Sequence, residues 1–245
     1  MKINILLPVL NEKQRLESGV TTTLSFLKEH INIPFQLTII DNGSTDSTPE
    51  IGHSLANRYP EIEYLQLAER GVGLAFREGI MKNDADIVGY MDCDLSTDIN
   101  HLIDVVRIFK EDSEVGLVNG SRFSQGSYVS GRKWYRNVTS YGLTFLLKLI
   151  FQMKANDSIC GFKFFKKNVI EDLINRSSSE KGWFYIIELL LRAEKDKIKI
   201  VELPVVWRDD PNTKVKLVKV VSNYLSQIYR LFIEFKFNRK CRDHV

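Results

Sequence analysis

Cysteine is scarce: Cys93, Cys160 and Cys241 are the only three in 245 residues, and their odd number and wide spacing exclude a paired disulfide framework. That scarcity predicts a reducing compartment. The four histidines, His30, His53, His101 and His244, lack ligand spacing, which argues against a histidine-built metal centre. Charge of one sign is also in short supply. Thirty-four basic against 31 acidic residues leave +3, too little for a general grip on nucleic acid without local clustering. No apolar run reaches the roughly 18 uninterrupted residues of a spanning helix. Lys148 interrupts residues 138–151, and Arg230, Glu234 and Lys236 interrupt residues 220–237. The run from Met1 to Pro8 is too short for a signal segment and has no small-residue cleavage site, so it reads as a first strand. Internal repeats and low-complexity segments are likewise missing.

With 44% hydrophobic and 27% charged residues, the chain has the composition of an ordinary globular protein. Its first half alternates β-rich runs with helical patterns. Strands are predicted from Ile3 to Val9, Gln36 to Asp41, Ile62 to Leu67, Ile87 to Met91 and Val115 to Asn119, which implies an α/β fold with a mostly parallel sheet flanked by helices. The first helix should bury Leu16, Val20, Leu24 and Leu27. Ser47 followed by Glu50 predicts a capping box for the second helix, with Pro49 in its first turn and Ile51, Leu55 and Tyr59 on its inner face. Beyond Arg122 the alternation gives way to a polar loop from Ser124 to Arg132, a long apolar helix, a helix near Trp183 to Glu194 and a strand from Ile198 to Val206. One domain over residues 1–212 is expected, with halves at 1–122 and 123–212, followed by an amphipathic basic helical tail at 213–245.

In open α/β sheets ligands bind beyond the carboxyl ends of the strands. Polar groups follow four of the predicted strands here: Asn11 and Glu12, Asp41 to Asp46, Asp92 to Asp94, and Gly120 to Arg122. Asp92 and Asp94 repel one another unless a cation lies beside them, and two carboxylates suit a hard divalent ion that completes its shell with substrate phosphate oxygens. An Asp-rich turn capping the next helix is the plainer alternative. Gly71-Val72-Gly73 before a helix offers backbone N–H groups to a phosphate, although without a third spaced glycine a simple turn is the commoner use.

In order, Pro8, Asn11-Glu12, Asp41-Asn42-Gly43-Ser44-Thr45-Asp46, Gly71 to Gly79, Asp92-Cys93-Asp94 and Gly120-Ser121-Arg122 resemble the GT-A fold of family-two glycosyltransferases. Arg136 to Ser140, Asp157 to Lys163, Glu188 and Glu202-Leu203-Pro204-Val205 are similar to its polyprenyl-phosphate branch, which includes dolichol-phosphate mannosyl and glucosyl transferases. The resemblance implies that Pro8, Asn11, Glu12, Asp41, Gly71, Asp92, Cys93, Asp94 and Lys214 line a nucleotide-sugar pocket, with Asp41 facing the base. It implies that Asp92 and Asp94 hold Mg²⁺ or Mn²⁺, and that Arg122, Arg136 and Ser140 hold an acceptor phosphate. Ser96 stands where the family often carries a metal-assisting glutamine.

The reaction so implied is an inverting, metal-dependent transfer of a hexose from UDP-glucose or GDP-mannose to a polyprenyl phosphate. Transfer to a saccharide or cell-wall polymer is the alternative, and a non-catalytic nucleotide-sugar binder a third. A lipid phosphate, largely dianionic at neutral pH, needs no general base. Glu188, inside an apolar run, should pair with a cation or cap a loop. The basic tail either lies on a membrane, with Leu217, Val221, Leu225, Ile228 and Phe232 inward, or packs on the domain or a second subunit. A cytoplasmic protein attached peripherally to the inner face of the membrane is expected.

Overall fold

The computed structural model describes the backbone of residues 1–209 and 217–242, and side chains over 1–209 and 222–237. Its strands are β1 (Ile3–Val9), β2 (Phe35–Asp41), β3 (Ile62–Gln66), β4 (Ile87–Met91), β5 (Val115–Ser121), β6 (Tyr128–Ser130), β7 (Phe162–Lys166), β8 (Lys199–Pro204) and β9 (Val206–Arg208). The helices are α1 (Leu16–His30), α2 (Thr48–Arg58), α3 (Val72–Met81), α4 (His101–Glu111), α5 (Trp134–Phe151), α6 (Lys167–Asn175), α7 (Phe184–Lys195) and α8 (Leu217–Arg242). Seven strands form one sheet in the order β3-β2-β1-β4-β7-β5-β8. All neighbours in it are parallel except β7, which runs antiparallel to both β4 and β5. A two-stranded sheet pairs β6 with β9.

The inner strands β1, β4, β7 and β5 are buried almost throughout, which explains their mostly apolar runs, whereas the edge strands β3 and β8 are largely half-buried. Ile3, Ile5, Leu7 and Val9 alternate onto the face covered by α1, α2 and α4, where Leu16, Val20, Leu24, Leu27 and Leu55 close the core. Leu6, Val88, Tyr90, Leu117 and Phe165 face α3 and α5 to α8. The expected capping box at α2 does not form. Ser47 makes no side-chain cap bond, and Asp46 instead accepts from the Thr48 amide at 3.0 Å. The strand expected over Ile198 to Val206 is two, β8 and β9, lying in different sheets.

Two helices on the second face differ in how they meet solvent. The α8 helix is docked: Ile228 and Leu231 are buried against the domain, and Arg230 pairs with Glu188 of α7. Ile228 is therefore not one of the membrane-dipping residues that the tail's amphipathic pattern suggested. Helix α5 buries Ser140, Thr144 and Leu147 and turns its bulkier apolar side chains outward. Trp134 is 75% exposed, Val138 60%, Tyr141 54%, Phe145 69% and Leu149 70%. No helix among the described residues is long and apolar enough to cross a membrane.

Candidate active site

Strands β1 to β3 are added in one direction and β4 on the other side of β1, so the chain reverses its order of addition between β1 and β4. Ligands bind at such a switch point in open sheets. Asn11, with φ of 57°, follows β1 there and Asp92 follows β4. The Asn11 side-chain oxygen accepts from the Thr45 amide at 2.8 Å, and its own amide donates to Ser44 Oγ at 2.9 Å, tying the loops after β1 and β2 together. Glu12 pairs with Arg15 at 2.8 Å. Asp41 is wholly enclosed: one carboxylate oxygen accepts from the Ser44 amide and the other from Tyr64 Oη, both at 2.8 Å. Both of its oxygens are thus taken up in shaping the loop after β2. Pro8, half-buried at the end of β1, lies in register with Ile40.

The Gly71 and Gly73 amides are spoken for within the chain. Gly71 N–H donates to Asn42 Oδ1 and Gly73 N–H to the Lys181 carbonyl. A Cβ on Gly73 would lie 2.6 Å from Tyr185 Cβ and 2.7 Å from the Gly182 carbonyl. These glycines serve close packing against the segment before α7, and the phosphate cradle considered for their amides is not formed by Gly71 or Gly73.

Asp92 and Asp94 flank the buried Cys93. Burial, the charge of Asp94 and that of Glu12 push the Asp92 carboxyl up to about 7, with Arg122 pulling the other way. Burial and the same acidic neighbours drive the Cys93 thiol far above its ordinary range, which removes it as a nucleophile. Asp94 accepts from the buried Ser96 amide at 2.9 Å. A carboxylate held against its own repulsion beside a second one fits a hard divalent cation. The described residues gather no set of three His, Cys, Asp or Glu groups, so such an ion would complete its shell with oxygens of a substrate.

Because β7 runs antiparallel, with Phe162 opposite Met91, the segment leading into it arrives at the same sheet end as Asp92. A Cβ on Gly161 would meet Asp92 Oδ2 at 2.4 Å. Asp157 from this segment takes the Arg122 side chain in a double contact, Nε to Oδ2 at 2.7 Å and Nη2 to Oδ1 at 2.9 Å. Both groups are buried, and the guanidinium also stacks on Trp207 at 5.0 Å from the ring centre. Burial alone would raise the Asp157 carboxyl, but the Arg122 charge and hydrogen bonds outweigh it and hold the group below the usual carboxylate range. Arg122 thus carries its own counterion.

Arg136, in the first turn of α5, donates from Nη1 to Asp209 at 2.5 Å. The Ser140 hydroxyl, buried one turn on, accepts from Arg132 Nη2 at 2.7 Å. Arg132 was read from the sequence only as the end of a polar loop. Helical spacing gave no signal for it, because Arg132 precedes Lys133, the extended N-cap residue of α5, and lies outside the helix. Lys214 lies outside the described residues. Glu188 is no base. It accepts from Ser178, Arg192 and Arg230 on the α7–α8 side of the fold.

Comparison with known proteins gives the family and the fold. The model of the family "Glycosyl transferase family 2" matches residues 4–174. The glycosyltransferase AglD of Haloferax volcanii is 30% identical over 232 residues, covering 94% of this chain and 37% of that protein. The chain thus spans well under half the length of that relative. The dolichyl-phosphate β-glucosyltransferases of Dictyostelium discoideum and Saccharomyces cerevisiae are 28% and 26% identical, cover 87% and 98% of this chain, and are themselves covered over 68% and 78%. Glucosyl-3-phosphoglycerate synthase from Mycobacterium tuberculosis, solved with Mn²⁺ and UDP-glucose, superposes with a TM-score of 0.71 at 17% identity, over 94% of this chain and 78% of that one. That likeness is one of fold. The chain belongs to glycosyl transferase family 2, and is a glycosyltransferase on a GT-A scaffold.

Proposed function

We propose that the enzyme transfers a hexose, glucose from UDP-glucose before mannose from GDP-mannose, to a polyprenyl phosphate with inversion, using Mg²⁺ or Mn²⁺. One observation carries the acceptor assignment. The cations that would receive an anion are Arg132, just before α5, and Arg136, in its first turn, and the outward face of this helix is Trp134, Val138, Tyr141, Phe145 and Leu149. A charged head joined to an apolar tail matches that juxtaposition, and a free sugar does not.

Asp92 and Asp94 would hold the cation, which when bound neutralises charge on the departing nucleoside diphosphate. Pro8, Asn11, Glu12 and the loop shaped by Asp41 would form the nucleotide side, with Cys93 contributing backbone. Arg136 and Ser140 would orient the acceptor phosphate for in-line attack on the anomeric carbon, with Arg122 adding positive potential from beneath. The acceptor brings its own nucleophilic oxygen. The nearby carboxylates are already engaged: Glu12 with Arg15, Asp41 with Ser44 and Tyr64, Asp157 with Arg122, and Asp209 with Arg136. A saccharide hydroxyl would need one of them as a base.

The α5 face, with the exposed Leu225, Tyr229 and Phe237 of α8, is assigned to the cytoplasmic surface of an anionic bilayer. Lys133, Arg132 and Arg136 at its edge match such a surface in charge, and exposed Trp134, Tyr135 and Tyr141 suit its interfacial layer. Labelled UDP-glucose and GDP-mannose, each with a short polyprenyl phosphate and Mg²⁺ or Mn²⁺, should send label into the organic phase. Transfer only to a water-soluble glycan refutes the acceptor. Asp94→Asn is expected to abolish turnover, and Arg136→Ala to raise the acceptor KM. Co-sedimentation with phosphatidylserine vesicles should fall for the Phe145→Ser, Leu149→Ser double variant. Unchanged sedimentation, or a dimer in solution that the double variant dissolves, would give this face to a second copy instead.

A further inference from the structure

The three arginines on the acceptor side are not equivalent. Arg122 has Asp157 and Arg136 has Asp209, whereas Arg132 has no carboxylate within 4.0 Å among the described residues. Its Nη2 donates to Ser140 Oγ at 2.7 Å and to the Arg136 carbonyl at 3.2 Å. Its Nε and Nη1 are shielded from solvent and meet no acceptor among the described residues. Burial and the like charges of Arg122 and Arg136 bring the guanidinium down to about 10, against a partial counter-effect from Asp209, so it remains protonated at neutral pH. A shielded cation with two idle donors is costly unless an anion arrives to take them. The neighbourhood leans the same way, since the first turn of α5 carries no acidic residue and no side-chain cap on its amides.

We propose that Arg132 is the principal anchor of the acceptor's phosphate. The inference rests on the phosphate acceptor assigned above, and it shifts the weight away from Arg122 and Arg136, whose charges are already answered within the chain. Phosphate oxygens take the Nε and Nη1 donors, while the existing bond to Ser140 holds the side chain in place. Ser140 is then a positioning residue for Arg132 as well as a contact in its own right.

Calorimetry with geranyl phosphate, a soluble prenyl monophosphate, tests this on the full chain. Arg132→Gln should bind it at least about tenfold more weakly than wild type, the loss of about one charge-assisted bond. Affinity for UDP with Mn²⁺ should not change. A merely structural arginine would lower the melting temperature and disturb both ligands. Removing an unanswered cation should instead leave the free protein melting at or above the wild-type temperature. If Arg132→Gln does not fold, Arg132→Lys serves, because a single ammonium cannot fill both donor positions and should bind with an intermediate loss. Unaltered geranyl phosphate affinity in a folded variant, or no binding by wild type, overturns the anchor. Binding by wild type that is lost in the variant, without sugar transfer to any prenyl phosphate, leaves the anchor standing and removes the acceptor reaction.

Discussion

At the scale of single residues, the candidate site is a set of charges of which most are balanced inside the fold and a few are not. Asp92 is one left over. Its carboxyl sits at about 7, above the range it has in an unfolded chain, so the folded state binds its proton more tightly. Stability therefore falls as pH rises from the ordinary carboxylate range through about 7, and the full cost is present above that. Asp92→Asn is expected to melt a few degrees higher than wild type at pH 8 without metal, with the gap closing near pH 4, although turnover is lost. Melting curves across that window check it, and a variant that melts lower throughout contradicts the repulsion. Arg122 and Asp157 are the opposite case. Asp157→Asn leaves a buried guanidinium unanswered and should cost about 3–5 kcal/mol in urea unfolding.

At the scale of elements, much was legible because the physics was local. The first five strands follow from short β-rich runs, and the inner face of α1 from spacing alone. The Asp92-Cys93-Asp94 pair was legible for a similar reason, because a strand end and two carboxylates are adjacent in sequence. The middle of the sheet was not. Phe162-Lys163-Phe164-Phe165 buries a lysine whose Nζ donates to the Cys160 carbonyl at 2.8 Å, and no periodicity announces a central strand with such a residue inside it. The pairing of Arg122 with Asp157 spans 35 positions and depends on that unseen strand. Arg132 was hidden differently, since having no carboxylate within 4.0 Å among the described residues is a property of three dimensions. Gly161→Ala follows from the same element. Its new methyl would press on Asp92, and titration should show weaker Mn²⁺-dependent UDP binding with little change in secondary structure.

At the scale of the whole molecule, the proposed boundary at 212/213 separates elements that share a core. Ile228 and Leu231 of α8 are buried on α7, and Arg230 and Arg192 both lean on Glu188. Truncation after Asp209 should therefore lower the melting temperature by several degrees, measured by calorimetry, where a separable tail would leave it unchanged. The boundary at 122/123 is weaker still as a division. Chain from beyond it supplies β7, which fills the place between β4 and β5. Cutting the polypeptide there would leave the first fragment with an open seam down its middle, two rows of unanswered backbone groups facing a gap one strand wide. Such halves should aggregate when made apart and recover soluble, active protein only when made together. The same constraint bears on exchange between proteins: the part beyond residue 122 cannot be replaced wholesale without dismantling the sheet that carries Asp92, so, on the acceptor role proposed for it, a new acceptor would have to come from changes on α5 and the loops around it.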